Sequence, residues 1–135
     1  MKSFTTISFT LLAVPQLTAA APIADSTAAT SVSVSYDQKY DVSGTSLSTV
    51  ACSDGSNGLL TAGYSTFGSL PKFPLIGGAP TIAGWNSENC GACYELAYQT
   101  DKIDNTIYIL AIDSASAGFN IGLEALNKLT NNQAE

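Results

Sequence analysis

The alternation of apolar and polar residues predicts four β-strands. Residues 31–36 (SVSVSY) have the period-two pattern of a strand with one face in water. Residues 47–52 (LSTVAC) predict a second short strand, and residues 94–99 (YELAYQ) alternate again and predict a third. Residues 106–112 (TIYILAI) are nearly all apolar, which is typical of a strand buried on both faces.

A long loop and one helix complete the pattern. Gly and Pro recur through residues 59–89, but aromatic residues stand among them, so we expect an ordered loop and not a polar linker. Near the end of the chain, Asn120 is predicted to cap a helix in which Leu123, Leu126 and Leu129 share one stripe. The predicted order is β-β-loop-β-β-α, a mostly β domain with a short helix.

Composition and charge exclude several functions. The 135 residues are 45% hydrophobic and 12% charged, with five Lys+Arg against eleven Asp+Glu and a net charge of −6. A chain this acidic is poorly suited to binding nucleic acid. The absence of histidine removes Ser-His-Asp chemistry and nearly all catalytic zinc sites. We expect no metal and no cofactor.

The N-terminal region is typical of a secretory signal peptide. Lys2 precedes an apolar run over residues 4–17, and small residues follow at 18–21. We expect cleavage after Ala20, a flexible leader over 21–31 and one folded domain over 32–135. The protein is therefore predicted to be extracellular, with no membrane span.

The three cysteines are an odd number for a secreted protein. Cys90 and Cys93 have the spacing of a redox pair, but no cation stands near them in sequence to stabilise a thiolate. A zinc site would need a fourth ligand. A disulfide framework is favoured, with Cys52 as the one distant partner available.

Seven ordered segments of the chain resemble the cerato-platanin family of small secreted fungal proteins. The segments are 34–37 (VSYD), 47–55 (LSTVACSDG), 63–71 (GYSTFGSLP), 76–78 (IGG), 89–96 (NCGACYEL), 110–115 (LAIDSA) and 118–122 (GFNIG). The resemblance covers residues 32–135. It implies a six-stranded double-psi β-barrel related to barwin, expansins and some endoglucanases.

The same resemblance implies a disulfide pairing. The family has four cysteines, joined first to second and third to fourth. Cys52 would then pair with Cys90, and Cys93 would pair with a cysteine in a closing strand beyond Glu135. On this basis we expect an unpaired thiol at Cys93 and a domain that lacks its C-terminal strand.

Asp113 is the main candidate for a functional acid. It ends the buried strand, and its segment resembles the one that carries the key Asp of expansins. The alternative is that its carboxylate caps the bend after the strand. A glycosidase needs a second carboxylate, for which Asp37, Asp41 and Asp54 are candidates by chain order.

Aromatic and amide side chains are candidates for binding sugars. Aromatic rings stack on sugar rings, and we select Tyr36, Tyr64 and Trp85, while Phe67 and Tyr94 are expected to pack in the core. The polar candidates are Asp37, Asn86 and Asn120.

The resemblance implies a non-catalytic protein of the fungal wall that binds chitin-type N-acetylglucosamine oligomers and loosens polysaccharide contacts as expansins do. In plant-associated fungi it implies an elicitor or virulence role and a plant receptor as a further partner. Two alternatives remain open. One is a weak glycosidase that uses Asp113 with an N-terminal Asp, and the other is a surface-active protein that self-assembles.

Overall fold

The computed structural model describes residues 29–134. The predicted signal peptide and most of the predicted leader lie outside these residues. The description begins with exposed chain at residues 29–33 and continues directly into the first strand.

Five strands and one helix make up the regular structure of the described residues. The strands are β1 (Val34–Tyr36), β2 (Ile76–Ala79), β3 (Cys93–Gln99), β4 (Asp104–Ser114) and β5 (Phe119–Ile121), and the helix is α1 (Leu123–Thr130). Short 3-10 helices occupy Gln38–Asp41, Leu47–Thr49 and Phe67–Ser69. The prediction of a mostly β domain with a short helix is confirmed, with five strands here against the six that were expected.

The strands form one mixed sheet in the order β1-β5-β2-β4-β3. The pairs β1–β5 and β2–β4 are parallel. The pairs β2–β5 and β3–β4 are antiparallel. The two strands predicted at 94–99 and 106–112 are confirmed as this β3–β4 hairpin. β4 is buried on both faces only over residues 109–112, whereas Tyr108 is 49% exposed.

The prediction of a strand over residues 47–52 is wrong. Leu47–Thr49 is a 3-10 helix whose first turn is capped by the Ser46 hydroxyl, which accepts a hydrogen bond from the Ser48 N–H at 3.1 Å. Leu47 and Val50 are both buried and lie three residues apart. A spacing of three places them on one side of a helical turn, whereas a strand would alternate them.

β2 lies inside the segment that was predicted to be a loop. All four of its residues are buried, and it is the central strand between β5 and β4. A Cβ atom on Gly77 would lie 2.5 Å from the carbonyl oxygen of Asn120, so glycine is needed for β5 to approach. Gly77, one of the glycines that suggested a loop, is therefore required by close strand packing.

Asn120 does not cap the helix, which corrects the sequence prediction. It belongs to β5 and pairs with Ser35 on one side and Gly78 on the other. The helix begins at Leu123 and packs its buried Ala125, Leu126 and Leu129 into the core. Its first turn is capped from a distance by Asp41.

A disulfide joins Cys52 to Cys90, with 5.4 Å between their Cα atoms. Cys52 is fully buried, so the bond fixes the long central segment to the core. Cys93 carries a free, exposed thiol. Within residues 29–134 no helix has the length and apolar character needed to cross a bilayer.

Candidate functional site

Asp113 is the centre of a hydrogen-bond network at the end of β4. Its Oδ2 accepts bonds from the Tyr40 hydroxyl at 3.0 Å and from Lys39 Nζ at 3.3 Å. Its Oδ1 accepts bonds from the backbone N–H groups of Ala51 at 3.0 Å and of Ser114 at 2.9 Å. The carboxylate thus joins two distant loops to β4, and only 14% of the side chain is exposed.

Tyr40 brings a buried hydroxyl to this carboxylate. The side chain is 1% exposed and stacks on Phe67. Burial raises the pKa of Tyr40 well above its usual value of 10.0, and the charge of Asp113 and its hydrogen bond raise it further. Tyr40 is therefore a neutral donor that holds Asp113 in place.

Trp85 presents the most exposed large apolar side chain of the described residues, at 64%. Its indole Nε1–H donates a hydrogen bond to Asp54 Oδ1 at 2.6 Å. A Cβ atom on Gly55 would lie 3.1 Å from the ring, so the indole packs against this glycine. Trp85 is held in one orientation and still offers an open aromatic surface.

Asn86 supports this arrangement from the neighbouring position. Its side-chain oxygen accepts a bond from the Asn57 N–H at 2.9 Å, and its backbone oxygen accepts one from Asn57 Nδ2 at 3.0 Å. Asn86 has a positive φ of 61°, a conformation that asparagine tolerates. It therefore joins the turn at residues 53–58 to the Trp85 loop, and its amide oxygen is already engaged.

The β1 side of the network contains Tyr36 and Asp37. Tyr36 is 41% exposed. Asp37 accepts a hydrogen bond from the Lys39 N–H at 2.9 Å and so caps the 3-10 helix that carries Lys39 and Tyr40. These two predicted residues therefore lie within four positions of Lys39 and Tyr40, the side chains that donate to Asp113.

Asn120 and Asp113 lie on one row across the sheet. Ser35 pairs with Asn120, Asn120 with Gly78, and Gly78 with Asp113. The Ser35 hydroxyl also donates to the Asn120 side-chain oxygen at 3.1 Å. The glycine between the two polar residues carries no side chain, so nothing from β2 separates them.

The other aromatic candidates are divided between the core and the surface. Phe67 is fully buried, as predicted. Tyr94 is half-buried, with its ring against Phe119 and its hydroxyl bonded to Thr81. Tyr64 is half-buried and packs against the core, so it offers much less open surface than Trp85.

Lys39 was not identified from the sequence, and Asp54 was considered only as a second catalytic acid. Lys39 and Asp54 each hold a predicted site residue, Asp113 and Trp85 respectively. Asp54 follows Ala51 by three residues, so its Cα lies at most about 11 Å from that of Ala51, whose N–H binds Asp113. Trp85 and Asp113 are thereby linked through one short segment. Residues 29–134 contain no cluster of three potential metal ligands.

Comparison with known proteins places this geometry in a family. The cerato-platanin family model matches residues 32–135. Allergen Asp f 15 of Aspergillus fumigatus is 53% identical over 99% of this chain and 86% of its own length. The crystal structure of cerato-platanin 1 from M. perniciosa is 48% identical over 77% of this chain and 85% of that one, with a TM-score of 0.74. The solution structure of cerato-platanin, described as a fungal elicitor, is 41% identical over 75% of this chain and 81% of that one, with a TM-score of 0.66.

Proposed function

The chain belongs to the cerato-platanin family, as its sequence predicted, and from this membership we propose that it is a secreted, non-catalytic glycan-binding protein of the fungal wall. Its ligands would be chitin-type N-acetylglucosamine oligomers. The observation that carries the proposal is the exposed and oriented indole of Trp85. A fixed aromatic surface stacks on a sugar ring at low cost in conformational entropy.

The polar residues linked to this indole through residues 51–54 suit the rest of an oligomer. Sugar hydroxyls and acetamido groups need hydrogen-bond partners beside the aromatic face. Asp113 and Lys39 supply charges of both signs, and Tyr36 supplies a second exposed ring. Asn120 adds a side-chain amide on the same row of the sheet as Asp113.

Wall loosening would follow from competition between chains. A chain that stacks on Trp85 and bonds to the polar residues gives up contacts with its neighbour in the wall, and no bond is cut. In a fungus that lives on plants, we also propose an elicitor role with a plant receptor as partner, because the related cerato-platanin of known structure is described as a fungal elicitor.

The carboxylates support a role without catalysis. Each candidate for a second catalytic acid serves the fold: Asp37 caps a 3-10 helix, Asp41 caps α1 and Asp54 holds Trp85. Asp113 accepts four hydrogen bonds. The glycosidase alternative predicts new reducing ends from chitin or cellulose oligomers, and the surface-active alternative predicts a fall in surface tension that oligosaccharide does not change.

Titration calorimetry with an N-acetylglucosamine tetramer tests the proposal. Trp85→Ala should weaken binding by at least about ten-fold, because a central aromatic contact is lost. Val32→Ala is the matched control, since it shortens another exposed apolar side chain that lies outside the proposed site. The proposal is wrong if the tetramer does not bind, or if both variants bind it as the parent protein does.

A further inference from the structure

A concave surface lies on the molecule, formed by none of the residues of the Trp85–Asp113 site. It is an open groove of about 640 Å³ between α1 and the segment that precedes β2. Phe73, Pro74 and Leu75 line one side with apolar surface, and Asn127 and Lys128 line it from α1. The groove therefore combines apolar walls with polar groups, which is the usual composition of a ligand site.

The charge of this groove differs from that of the chain as a whole. The chain is strongly acidic, and the described residues contain only four lysines, at 39, 72, 102 and 128, and no arginine. Lys72 and Lys128 both line the groove, and Glu124 is the single acid among the lining residues. Two of the four cationic side chains of the described residues thus line this one groove, which favours an anionic ligand there.

An exposed aromatic ring borders the groove at Lys72. Lys72 Nζ lies 5.8 Å from the centre of the Tyr108 ring, within the range of a cation–π contact. Tyr108 is 49% exposed, and its hydroxyl donates to Glu95 Oε2 at 2.8 Å. That hydrogen bond raises the pKa of Tyr108, so the ring remains neutral at physiological pH. The ring is oriented by its neighbours, as Trp85 is by Asp54.

We propose that the groove and Tyr108 form a second glycan-binding site, for a short anionic oligosaccharide of the hexuronate type. The sugar carboxylates would pair with Lys72 and Lys128, a sugar ring would stack on Tyr108, and hydroxyls would bond to Asn127 and Glu124. An acidic peptide such as penta-glutamate could pair with the two lysines, but it has no ring to stack on Tyr108. The combination of ring, amide and cations is what selects a charged sugar.

The two sites are far enough apart to be occupied together. Tyr108 precedes Asp113 by five residues of the same strand, a separation of about 16 Å along β4. A protein with both sites would hold a neutral and an acidic glycan chain at once. This bridging role rests on the proposed function, whereas binding at the groove does not.

The test is titration calorimetry of the full chain with tri-galacturonic acid at low and at physiological salt. We expect measurable binding that weakens as salt rises, since exposed charges are screened. Lys72→Gln and Lys128→Gln should each weaken binding by about two- to five-fold, as exposed ion pairs do. Lys102→Gln is the matched control, because Lys102 is exposed at the turn between β3 and β4, and it should leave the affinity unchanged.

Further variants separate this site from the first. Trp85→Ala should leave tri-galacturonate binding unchanged, and the double variant Lys72→Gln/Lys128→Gln should leave N-acetylglucosamine tetramer binding unchanged. Tyr108→Ala should weaken tri-galacturonate, while Tyr108→Phe, which keeps the ring, should not. The proposal is overturned if folded parent protein does not bind tri-galacturonate, if the lysine variants bind it equally well, or if penta-glutamate binds as tightly.

Discussion

The carboxylate of Asp41 accepts a hydrogen bond from the backbone N–H of Leu123 at 2.9 Å, although the two residues are 82 positions apart. Its other oxygen accepts the N–H of Glu124 at 3.1 Å. The first turn of α1 therefore has its cap supplied from the segment after β1, together with a negative charge at the positive end of the helix.

Asp41→Ala should lower the free energy of unfolding by about 1–2 kcal/mol, because two N–H groups lose their acceptor. Asp41→Asn keeps an acceptor and removes the charge, so its loss should be smaller. Urea unfolding followed by circular dichroism measures both. Equal stability of Asp41→Ala and the parent protein would mean that water replaces the cap without cost.

Asp113→Asn should affect both stability and binding. The amide cannot accept from all four donors that the carboxylate satisfies, so we expect a loss of roughly 1.5–3 kcal/mol in the free energy of unfolding. If Asp113 also contacts glycan, affinity for an N-acetylglucosamine tetramer falls by about ten- to a hundred-fold. If calorimetry on the folded variant finds an unchanged affinity, then Asp113 does not contact the glycan and its role is to join the loops to β4.

Tyr40 should make the protein less stable at alkaline pH. Its pKa is raised in the folded state above the usual 10.0, so above about pH 10 the unfolded chain loses this proton first and binds fewer protons. Stability is fully present below pH 10 and declines as pH rises toward the folded pKa, by up to about 1.4 kcal/mol per pH unit. Urea midpoints from pH 8 to 11 should fall more steeply for the parent protein than for Tyr40→Phe. If the urea midpoints of the two proteins fall equally with pH, the raised pKa of Tyr40 is contradicted.

Cys93 should react as the single accessible thiol of the folded protein, since it is exposed and free. Thiol titration under native conditions should detect one group, and non-reducing electrophoresis should show a covalent dimer that Cys93→Ser abolishes. The Cys52–Cys90 bond, at a separation of 38 residues, should contribute about 4 kcal/mol in the loop-entropy model. A native thiol count of zero or three would contradict this assignment.

The elements that were predicted correctly have a local signal, and those that were missed depend on distant contacts. The β3–β4 hairpin could be predicted because apolar and polar residues alternate where one face of a strand is in water. β2 could not be predicted because its Gly77 is required by the approach of β5, a partner more than forty residues away. The helix start was misplaced for the same reason, since its cap is Asp41 and not a neighbour in the chain.

The candidate site follows the same division. Trp85 and Asp113 were identified because an aromatic ring in a glycine-rich loop and an acid after a buried strand are unusual locally. The groups that hold them, Asp54 and Lys39, carry no such signal: each is 31 residues or more from its partner. Whether a ring such as Tyr64 packs on the core or faces solvent also depends on which distant segment covers it.

The parallel pairing of β1 with β5 has a consequence for when the sheet can form. Val34 lies beside Phe119, so the edge strand has no partner until the chain is available through residue 121. Closing so large a loop is entropically costly, and sheets built from such distant pairs fold slowly, on the order of milliseconds to seconds. A chain synthesised from its N-terminus would therefore keep β1 unpaired until residue 121 has been made. During that interval β1 remains open to chaperones or to an export apparatus that requires an unfolded substrate.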